Sequence, residues 1–169
     1  MSYSWHKQWQ SLFPPKYREV TLGVHRSDIR IGDTTIEFQS SPITTAEMSE
    51  REQFYSKILW ILDARRTKGL LWKAIESLDR KEFYVEFWIE STLGSRNWDV
   101  PESWYRPSVH VILHLGGHDL IWITNLIATT FGYGVYIQLP ILVERFCASN
   151  FARPLNNLYQ LPGRNKPSI

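Results

Sequence analysis

The sequence predicts an α/β fold in which a helix, three strands, a second helix and a fourth strand build a mixed sheet. Two β-branched runs flank the dipeptide Gly32-Asp33, which is typical of a two-residue hairpin turn. Residues 58–62 are continuously apolar, as in a strand that is covered on both faces. A helical pattern precedes the hairpin and a helix-start motif follows it. We expect additional strands and helices from the C-terminal half of the chain.

The elements of the N-terminal third follow from local patterns. A helix is predicted over residues 3–13, because apolar side chains recur at helical spacing there: Trp5, Trp9, Leu12 and Phe13. Pro14-Pro15 would end this helix, and residues 19–24 form a first strand before the hairpin. Thr44 and Glu47 have the spacing of a capping box, which opens a helix that continues to about residue 57.

The C-terminal half has weaker patterns. In chain order they predict a short amphipathic helix over residues 69–78, a strand over 82–89, a hairpin from 110–115 and 119–123, a strand over 133–139 and a closing helix over 140–147. Gly116-Gly117 would lie in the loop of the hairpin, and Pro140 in the first turn of the closing helix.

Composition sets the limits of these predictions. With 169 residues we expect one domain over residues 1–160 and a flexible tail over 161–169. The chain is 43% hydrophobic and 21% charged, which excludes collagen-like, disordered and coiled-coil classes. Cys147 is the single cysteine, so an internal disulfide and a multi-cysteine metal site are excluded. With no signal-peptide pattern and no long apolar run, we expect a cytoplasmic protein without a membrane partner.

Pairing across the hairpin brings two acidic residues together. Residue numbers that face each other in a hairpin sum to a constant, so Ile29 faces Ile36 and Asp28 faces Glu37. Alternation along each strand puts four polar residues on one face: Asp28, Arg30, Glu37 and Gln39. The other face is the predicted core: Ile29, Ile31, Ile36 and Phe38. Like charges that face each other are destabilising, and Mg²⁺ would offset them; the alternative is a half-buried hairpin with a solvated polar face.

Six ordered blocks of residues between positions 4 and 66 carry a more specific signal. They are Trp5-His6, Trp9, His25-x-x-Asp28-Ile29, Ile36-Glu37-Phe38-Gln39-x-Ser41-Pro42-Ile43, Glu50-Arg51-Glu52-x-Phe54-Tyr55 and Leu59-Trp60-Ile61-Leu62-Asp63. Together they resemble the competence protein CoiA-like nuclease family, within the PD-(D/E)XK superfamily. The resemblance implies a restriction-endonuclease-like core and a metal-dependent nuclease.

Carried over to this chain, the resemblance implies a metal site on the second and third strands. Asp28 and Glu37 would bind the metal, and the backbone carbonyl of Phe38 would be a further ligand. Gln39 stands where most superfamily members have lysine, and its amide can orient the attacking water or donate to a phosphate oxygen. Charge stabilisation would then come from Arg30 or His6, although His6 can instead be a packing residue of the first helix.

Two positions depart from the family pattern, and both bear on activity. The acidic residue expected just before Trp5-His6 is Ser4, and the lysine expected after Trp9 is Gln10.

Basic residues near these motifs are candidates for contacts with the DNA backbone. Arg51 lies in the charged run of the second helix, which can equally be a solvated face. The densest basic cluster follows the fourth strand and comprises Arg65, Arg66 and Lys68; its alternative is an ordinary polar loop. The net charge of +2 permits nucleic-acid binding through such patches without demanding it.

Three histidines raise the question of a zinc site. His110, His114 and His118 have a spacing that would suit one face of a helix. The surrounding residues are strand-like and contain Gly116-Gly117, so a zinc site is not favoured.

The sequence therefore favours a Mg²⁺-dependent DNA nuclease that accepts Mn²⁺ as a substitute and serves competence, repair or defence. The second hypothesis is a catalytically degenerate nuclease fold that binds nucleic acid or a partner protein. A small-molecule enzyme is disfavoured, because the chain has no glycine-rich phosphate loop, nucleophile elbow or metalloprotease helix motif. Cutting of both strands of a duplex would favour a homodimer.

Overall fold

The computed structural model describes residues 4–41, 43–65, 70–77, 82–89, 110–128 and 131–147. The helices are α1 (Trp5–Ser11), α2 (Thr45–Phe54) and α3 (Leu139–Cys147), with a 3₁₀ turn at Pro15–Tyr17. The strands are β1 (Arg18–Leu22), β2 (His25–Ile31), β3 (Thr34–Gln39), β4 (Lys57–Asp63), β5 (Leu70–Ser77), β6 (Glu82–Ile89), β7 (His110–Gly116), β8 (Asp119–Ala128) and β9 (Phe131–Gln138).

All nine of these strands form one mixed sheet in the order β1-β2-β3-β4-β7-β8-β9-β6-β5. Strand β4 is parallel to both of its neighbours, β3 and β7, and the other neighbouring strands are antiparallel. The predicted α/β class with a mixed sheet is confirmed, as is the order of helix, three strands, helix and strand. Residues 58–62 of β4 are buried, as their continuous apolar run predicts.

The predicted hairpin register is confirmed from the turn as far as Ile29 and Ile36, whereas the predicted facing pair of Asp28 and Glu37 lies beyond the end of this ladder. Ile29 pairs with Ile36 and Ile31 with Thr34, and both Ile29 and Ile36 are fully buried. Gly32 has a φ of 60°, so the turn uses the conformational freedom of glycine at its first central position.

The sheet is covered on both faces, and each face has its own apolar cluster. The first face packs against α1 and α3, and its core comprises Trp5, Trp9, Phe13, Ile29, Ile36, Phe38, Leu59, Ile61, Ile112, Leu120, Trp122, Ile137, Leu142 and Phe146. The second face carries α2, and its core comprises Met48, Tyr55, Ile58, Trp60, Leu62, Ala64, Val85, Phe87, Val111, Leu113, Ile121 and Tyr136. Helices α1 and α2 therefore approach strands β2 and β3 from opposite sides.

The helix ends follow local chemistry. The capping box of α2 is complete, because Thr44 accepts from the Glu47 backbone N–H while the Glu47 carboxylate accepts from the Thr44 backbone N–H. Helix α1 is shorter than predicted and begins at Trp5, with Ser4 as its N-cap. Leu12, predicted to belong to its apolar face, is 41% exposed.

The helix predicted over residues 69–78 is wrong, because this segment is the edge strand β5. Trp72 stacks on Tyr136 at 5.2 Å between ring centroids, whereas the adjacent Lys73 forms an ion pair with Glu86 at 2.9 Å. Consecutive side chains thus contact different partners, as expected for a strand, in which side chains alternate between the two faces of the sheet. Pairing with β6 decides the conformation of a segment whose local pattern is equally compatible with a helix.

The other C-terminal elements are confirmed with small changes of boundary. Strands β7 and β8 form the predicted hairpin, β6 and β9 are the predicted strands, and α3 begins one residue before Pro140. Within the described ranges, every helix is too short or too polar to span a bilayer. The predicted tail over residues 161–169 lies outside the described residues.

Candidate metal centre

The candidate site lies where strands β2 and β3 diverge. The last described backbone pair of their ladder is Ile29 with Ile36, one position before the two acidic residues. Beyond it, Asp28 Oδ2 accepts a hydrogen bond from the Phe38 backbone N–H at 2.9 Å. A hydrogen-bonding interaction from the backbone N–H of Asp28 to the Glu37 carboxylate acts to lower the pKa of Glu37. Both carboxylates therefore lie in the gap between the two strands.

The Asp28 carboxylate receives its other contacts from α1. His6 Nε2 lies 2.5 Å from Asp28 Oδ1, and Gln10 Nε2 donates to the same oxygen at 3.3 Å. The hydrogen bond to Asp28 raises the pKa of His6, against the opposing effect of partial burial. The contact with Asp28 thus favours the protonated, positively charged form of His6.

The Glu37 carboxylate is contacted from α2 on the opposite face of the sheet. Glu37 is only 2% exposed, and Arg51 Nη1 donates to its Oε2 at 2.5 Å. The second oxygen, Oε1, is buried and has no hydrogen-bond partner among the described residues. Burial and then the charge of Asp28 raise the pKa of Glu37 to about 7, although Arg51 acts to lower it. The desolvation of Glu37 outweighs the stabilisation that its ion pair provides.

These donors fit a small divalent cation. Mg²⁺ takes oxygen ligands and is commonly held by one or two carboxylates, with water and substrate phosphate in the other positions. The unpartnered Oε1 of Glu37 is such an oxygen. Since the N–H and C=O of a strand residue point to the same neighbouring strand, the Phe38 carbonyl also faces the Asp28 side. Across the described part of the chain, no three His, Cys, Asp or Glu residues are grouped to bind a metal, so a site here would rest on two carboxylates.

Gln39 is the predicted site residue that the structure connects least to this centre. Its amide nitrogen donates to the Ser41 carbonyl at 2.5 Å and to the Ser41 hydroxyl at 3.3 Å. The side chain is half-buried at the end of β3 and engaged with its own loop. The structure therefore brings together His6, Asp28 and Glu37, while Gln39 contacts Ser41.

The predicted nucleic-acid contacts have different environments. Arg30 is half-buried and donates to the Thr35 hydroxyl at 2.7 Å. Arg65 binds both oxygens of Asp63 at 2.7 Å each, and its guanidinium lies 5.9 Å from the Trp5 ring centroid. Arg51 contacts Glu37, as described above. Arg66 and Lys68 lie outside the described residues.

Gln10 contacts Asp28 and is 4% exposed, a role not predicted from the sequence. A detectable signal existed, because His6 and Gln10 are four residues apart and so share one face of α1. Ser4, the other departure from the family pattern, accepts a weak 3.4 Å hydrogen bond from the Lys7 backbone N–H. It therefore has a structural use as the N-cap of α1.

His114 serves the core. Its Nδ1 accepts from the indole N–H of Trp5 at 2.7 Å and of Trp9 at 3.4 Å. Its Nε2 is then the donor to the Gly117 carbonyl at 3.3 Å. Burial lowers the pKa of His114, in keeping with a neutral ring. Because both ring nitrogens are engaged and the segment is a strand, the structure gives no support to zinc binding here.

Comparison with known proteins yields one family and no individual relative. Neither the curated proteins nor the solved structures contain a significant match to this chain. A family model described as "Competence protein CoiA, nuclease-like domain" matches residues 24–89. The match includes Asp28, Glu37 and Arg51 and begins after α1, so His6 and Gln10 lie outside it. This match confirms the resemblance carried by the sequence motifs over residues 24–89, which are similar to the nuclease-like domain of that family.

Proposed function

We propose that this chain is a Mg²⁺-dependent nuclease that hydrolyses phosphodiester bonds of DNA, with Mn²⁺ as a substitute cation. The observation that carries the proposal is the buried Glu37 carboxylate, which has an unpartnered oxygen and lies beside Asp28. Asp28, Glu37 and the Phe38 carbonyl would bind the cation. The family match over residues 24–89 supports a nuclease-related role for this segment.

The residues around the two carboxylates have separate tasks in this proposal. A bound Mg²⁺ would polarise the scissile phosphate and lower the pKa of a water molecule. Gln10 and the Phe38 backbone N–H orient Asp28 through their hydrogen bonds. His6 supplies positive charge next to Asp28 and can donate to a phosphate oxygen. Gln39 would orient the attacking water once its amide leaves Ser41.

One edge of the sheet is the proposed nucleic-acid face. Strands β3, β4 and β7 are parallel, so their carboxyl ends meet at one edge, as ligand sites in open α/β sheets do. Arg65 follows β4 at this edge, and Arg66 and Lys68 follow it in sequence. We propose that these three residues bind the DNA backbone at this edge. Arg30, also predicted to contact DNA, pairs with Thr35 near the amino end of β3, so it would bind a more distant part of the backbone. One such site cuts one strand at a time, so cutting of both strands of a duplex would favour a homodimer.

A cleavage assay tests this function. Purified protein is incubated with labelled single- and double-stranded DNA in Mg²⁺, Mn²⁺ or EDTA. We expect cleavage with either cation, none in EDTA, and loss of cleavage in Asp28→Asn and Glu37→Gln. Gln39→Ala should reduce turnover less than Asp28→Asn does, because glutamine tunes the attack without holding the cation. Asp33→Asn is the matched control, since Asp33 is exposed at the hairpin turn and pairs with Lys57 at 2.6 Å.

The second candidate function is a nucleic-acid-binding or partner-binding module that has lost catalysis. The contact between Gln39 and Ser41 favours it, because that contact points the amide into its own loop. A wild-type protein that cuts no DNA with either cation, yet binds DNA with an affinity that falls steeply with salt, would replace the nuclease by this module.

A further inference from the structure

Arg51 is placed between the candidate metal centre and solvent. It lies in the last turn of α2, where its carbonyl accepts from the Tyr55 backbone N–H at 2.9 Å. Its side chain is 38% exposed, whereas the Glu37 side chain that it contacts is 3% exposed. Its guanidinium also lies 6.0 Å from the centroid of the Trp60 ring. The arginine therefore has an anchored backbone and a head group that reaches from solvent to a buried carboxylate.

We propose that Arg51 is an exchangeable counter-ion: it neutralises Glu37 while no divalent cation is bound, and it binds a phosphate of the nucleic acid once a cation has taken its place. This inference rests on the proposed function, since it requires a cation between Asp28 and Glu37. It assigns Arg51 a role in coupling the binding of the metal to the binding of the substrate.

Charge balance supports the exchange. Asp28 and Glu37 carry two negative charges when ionised, and a divalent cation balances both. Arg51 would then be an excess positive charge next to the cation, and an arginine does not relieve this by losing its proton. The same guanidinium presents several donors in a planar fork that matches a phosphate. Its exposed fraction gives it room to turn towards one.

The neighbouring cations do not have this arrangement. His6 contacts Asp28 from the other face of the sheet, and Arg65 holds both oxygens of Asp63. Of the cations that the structure describes, Arg51 is the one in contact with Glu37, the carboxylate that keeps an unpartnered oxygen.

The proposed exchange predicts changes in two quantities: the affinity for the cation, and the effect of the cation on the affinity for DNA. Arg51 competes with the cation for Glu37, so its removal should strengthen cation binding in the absence of DNA. It also provides the phosphate contact that the cation releases, so its removal should weaken the effect of the cation on DNA affinity. Linked sites commonly change each other's affinity by about five- to 150-fold. A purely structural arginine would move neither quantity in this opposed manner.

The test measures both quantities on the full chain at pH 8. Binding of Mn²⁺ alone is measured by calorimetry for wild type, Arg51→Met, Arg51→Lys and Arg26→Met. Arg26 is the matched control, because it forms an ion pair of the same 2.5 Å length with Glu19, which is not a proposed ligand of the cation. Binding of a phosphorothioate oligonucleotide, which resists hydrolysis, is then measured with and without Mn²⁺. Thermal melting establishes that each variant is folded.

We expect Arg51→Met to bind Mn²⁺ at least about fivefold more tightly than wild type, with Arg26→Met unchanged. Arg51→Lys keeps a charge without the planar fork and should lie between them. Mn²⁺ should strengthen oligonucleotide binding by the wild type at least about fivefold and by Arg51→Met about twofold or less. If Arg51→Met does not fold, Arg51→Lys alone must show the shift in Mn²⁺ affinity.

Different outcomes would overturn the exchange at Arg51 and the metal centre of the proposed function. Mn²⁺ binding that is lost in Asp28→Asn but unchanged or weaker in Arg51→Met would overturn the exchange and leave the metal centre intact. Tighter Mn²⁺ binding by Arg51→Met with an unchanged effect of Mn²⁺ on the oligonucleotide would overturn the phosphate half. No Mn²⁺ binding by wild type or by Arg51→Met would overturn the metal centre itself.

Discussion

The raised pKa of Glu37 has a measurable effect on stability. A carboxyl group that ionises less readily in the folded state than in the unfolded state destabilises the fold as pH rises. Its contribution is fully favourable below the unfolded value of 4.5 and is lost as pH passes through the folded value of about 7. Glu37→Gln removes the ionisation and keeps nearly the same shape, so this part of the pH dependence should disappear.

The size of the effect follows from the two pKa values. Between 4.5 and about 7, the ionisation of Glu37 costs on the order of 3 kcal/mol of folding free energy, at about 1.4 kcal/mol for each pH unit. For a protein of this length, 1 kcal/mol corresponds to roughly 2–4 °C in melting temperature. At pH 8 we therefore expect Glu37→Gln to melt roughly 6–12 °C above wild type, and at pH 4.5 about equally.

Thermal melts from pH 4.5 to 8 in EDTA measure this difference. Buried histidines also titrate in this pH range. Comparing each variant with wild type at the same pH therefore isolates the contribution of Glu37 to stability. Burial lowers the pKa of His110 to about 4, so its contribution changes in the opposite direction, with stability gained as pH rises towards 6.5. Glu144→Gln in α3 is the control, since this glutamate is exposed. Curves of wild type and Glu37→Gln that stay parallel over the whole range would refute the argument from burial.

Three further predictions concern the fold around the centre. His114→Phe should lower stability by about 2–5 kcal/mol in chemical denaturation, because the buried indole N–H groups of Trp5 and Trp9 lose their shared acceptor; the same change at the exposed turn residue His118 is the control. Thr44→Ala should cost about 1 kcal/mol in the same assay through loss of the N-cap hydrogen bond, and an unchanged midpoint would show that the capping box is dispensable. Gly134→Ala should cost about 1–3 kcal/mol or prevent folding, since a Cβ atom there would lie 2.7 Å from the backbone oxygen of Trp122; a wild-type melting temperature would contradict this packing.

Features of the fold that depend on residues close together in the sequence could be predicted from the sequence. The hairpin register follows from the turn at Gly32-Asp33, and it correctly places Ile29 and Ile36 in the core. The capping box could be predicted because Thr44 and Glu47, which form it, are only three positions apart in the sequence. The β5 segment shows the limit of this approach, because a distant partner strand decides between helix and strand there.

The contacts of the candidate site could not be predicted in the same way. The hairpin explains why Asp28 and Glu37 lie near each other, but their counter-ions come from helices on opposite faces of the sheet. Which helix covers which face depends on how the whole sheet is packed. For the same reason the sequence does not reveal that Arg51 contacts Glu37, or that His114 accepts from Trp5.

The strand order has a consequence for how this chain is made and handled. Strands β5 and β6 precede β7 in the chain, yet they lie beyond β9 in the sheet, and β6 pairs with β9 along its length. During synthesis the β5–β6 hairpin emerges before the strand that completes it exists. A fragment that ends at residue 89, where the family match ends, would leave Val85 and Phe87 uncovered at an open strand edge, which favours aggregation. A truncated chain that retains β5 and β6 must therefore extend through β9 to pair this strand edge.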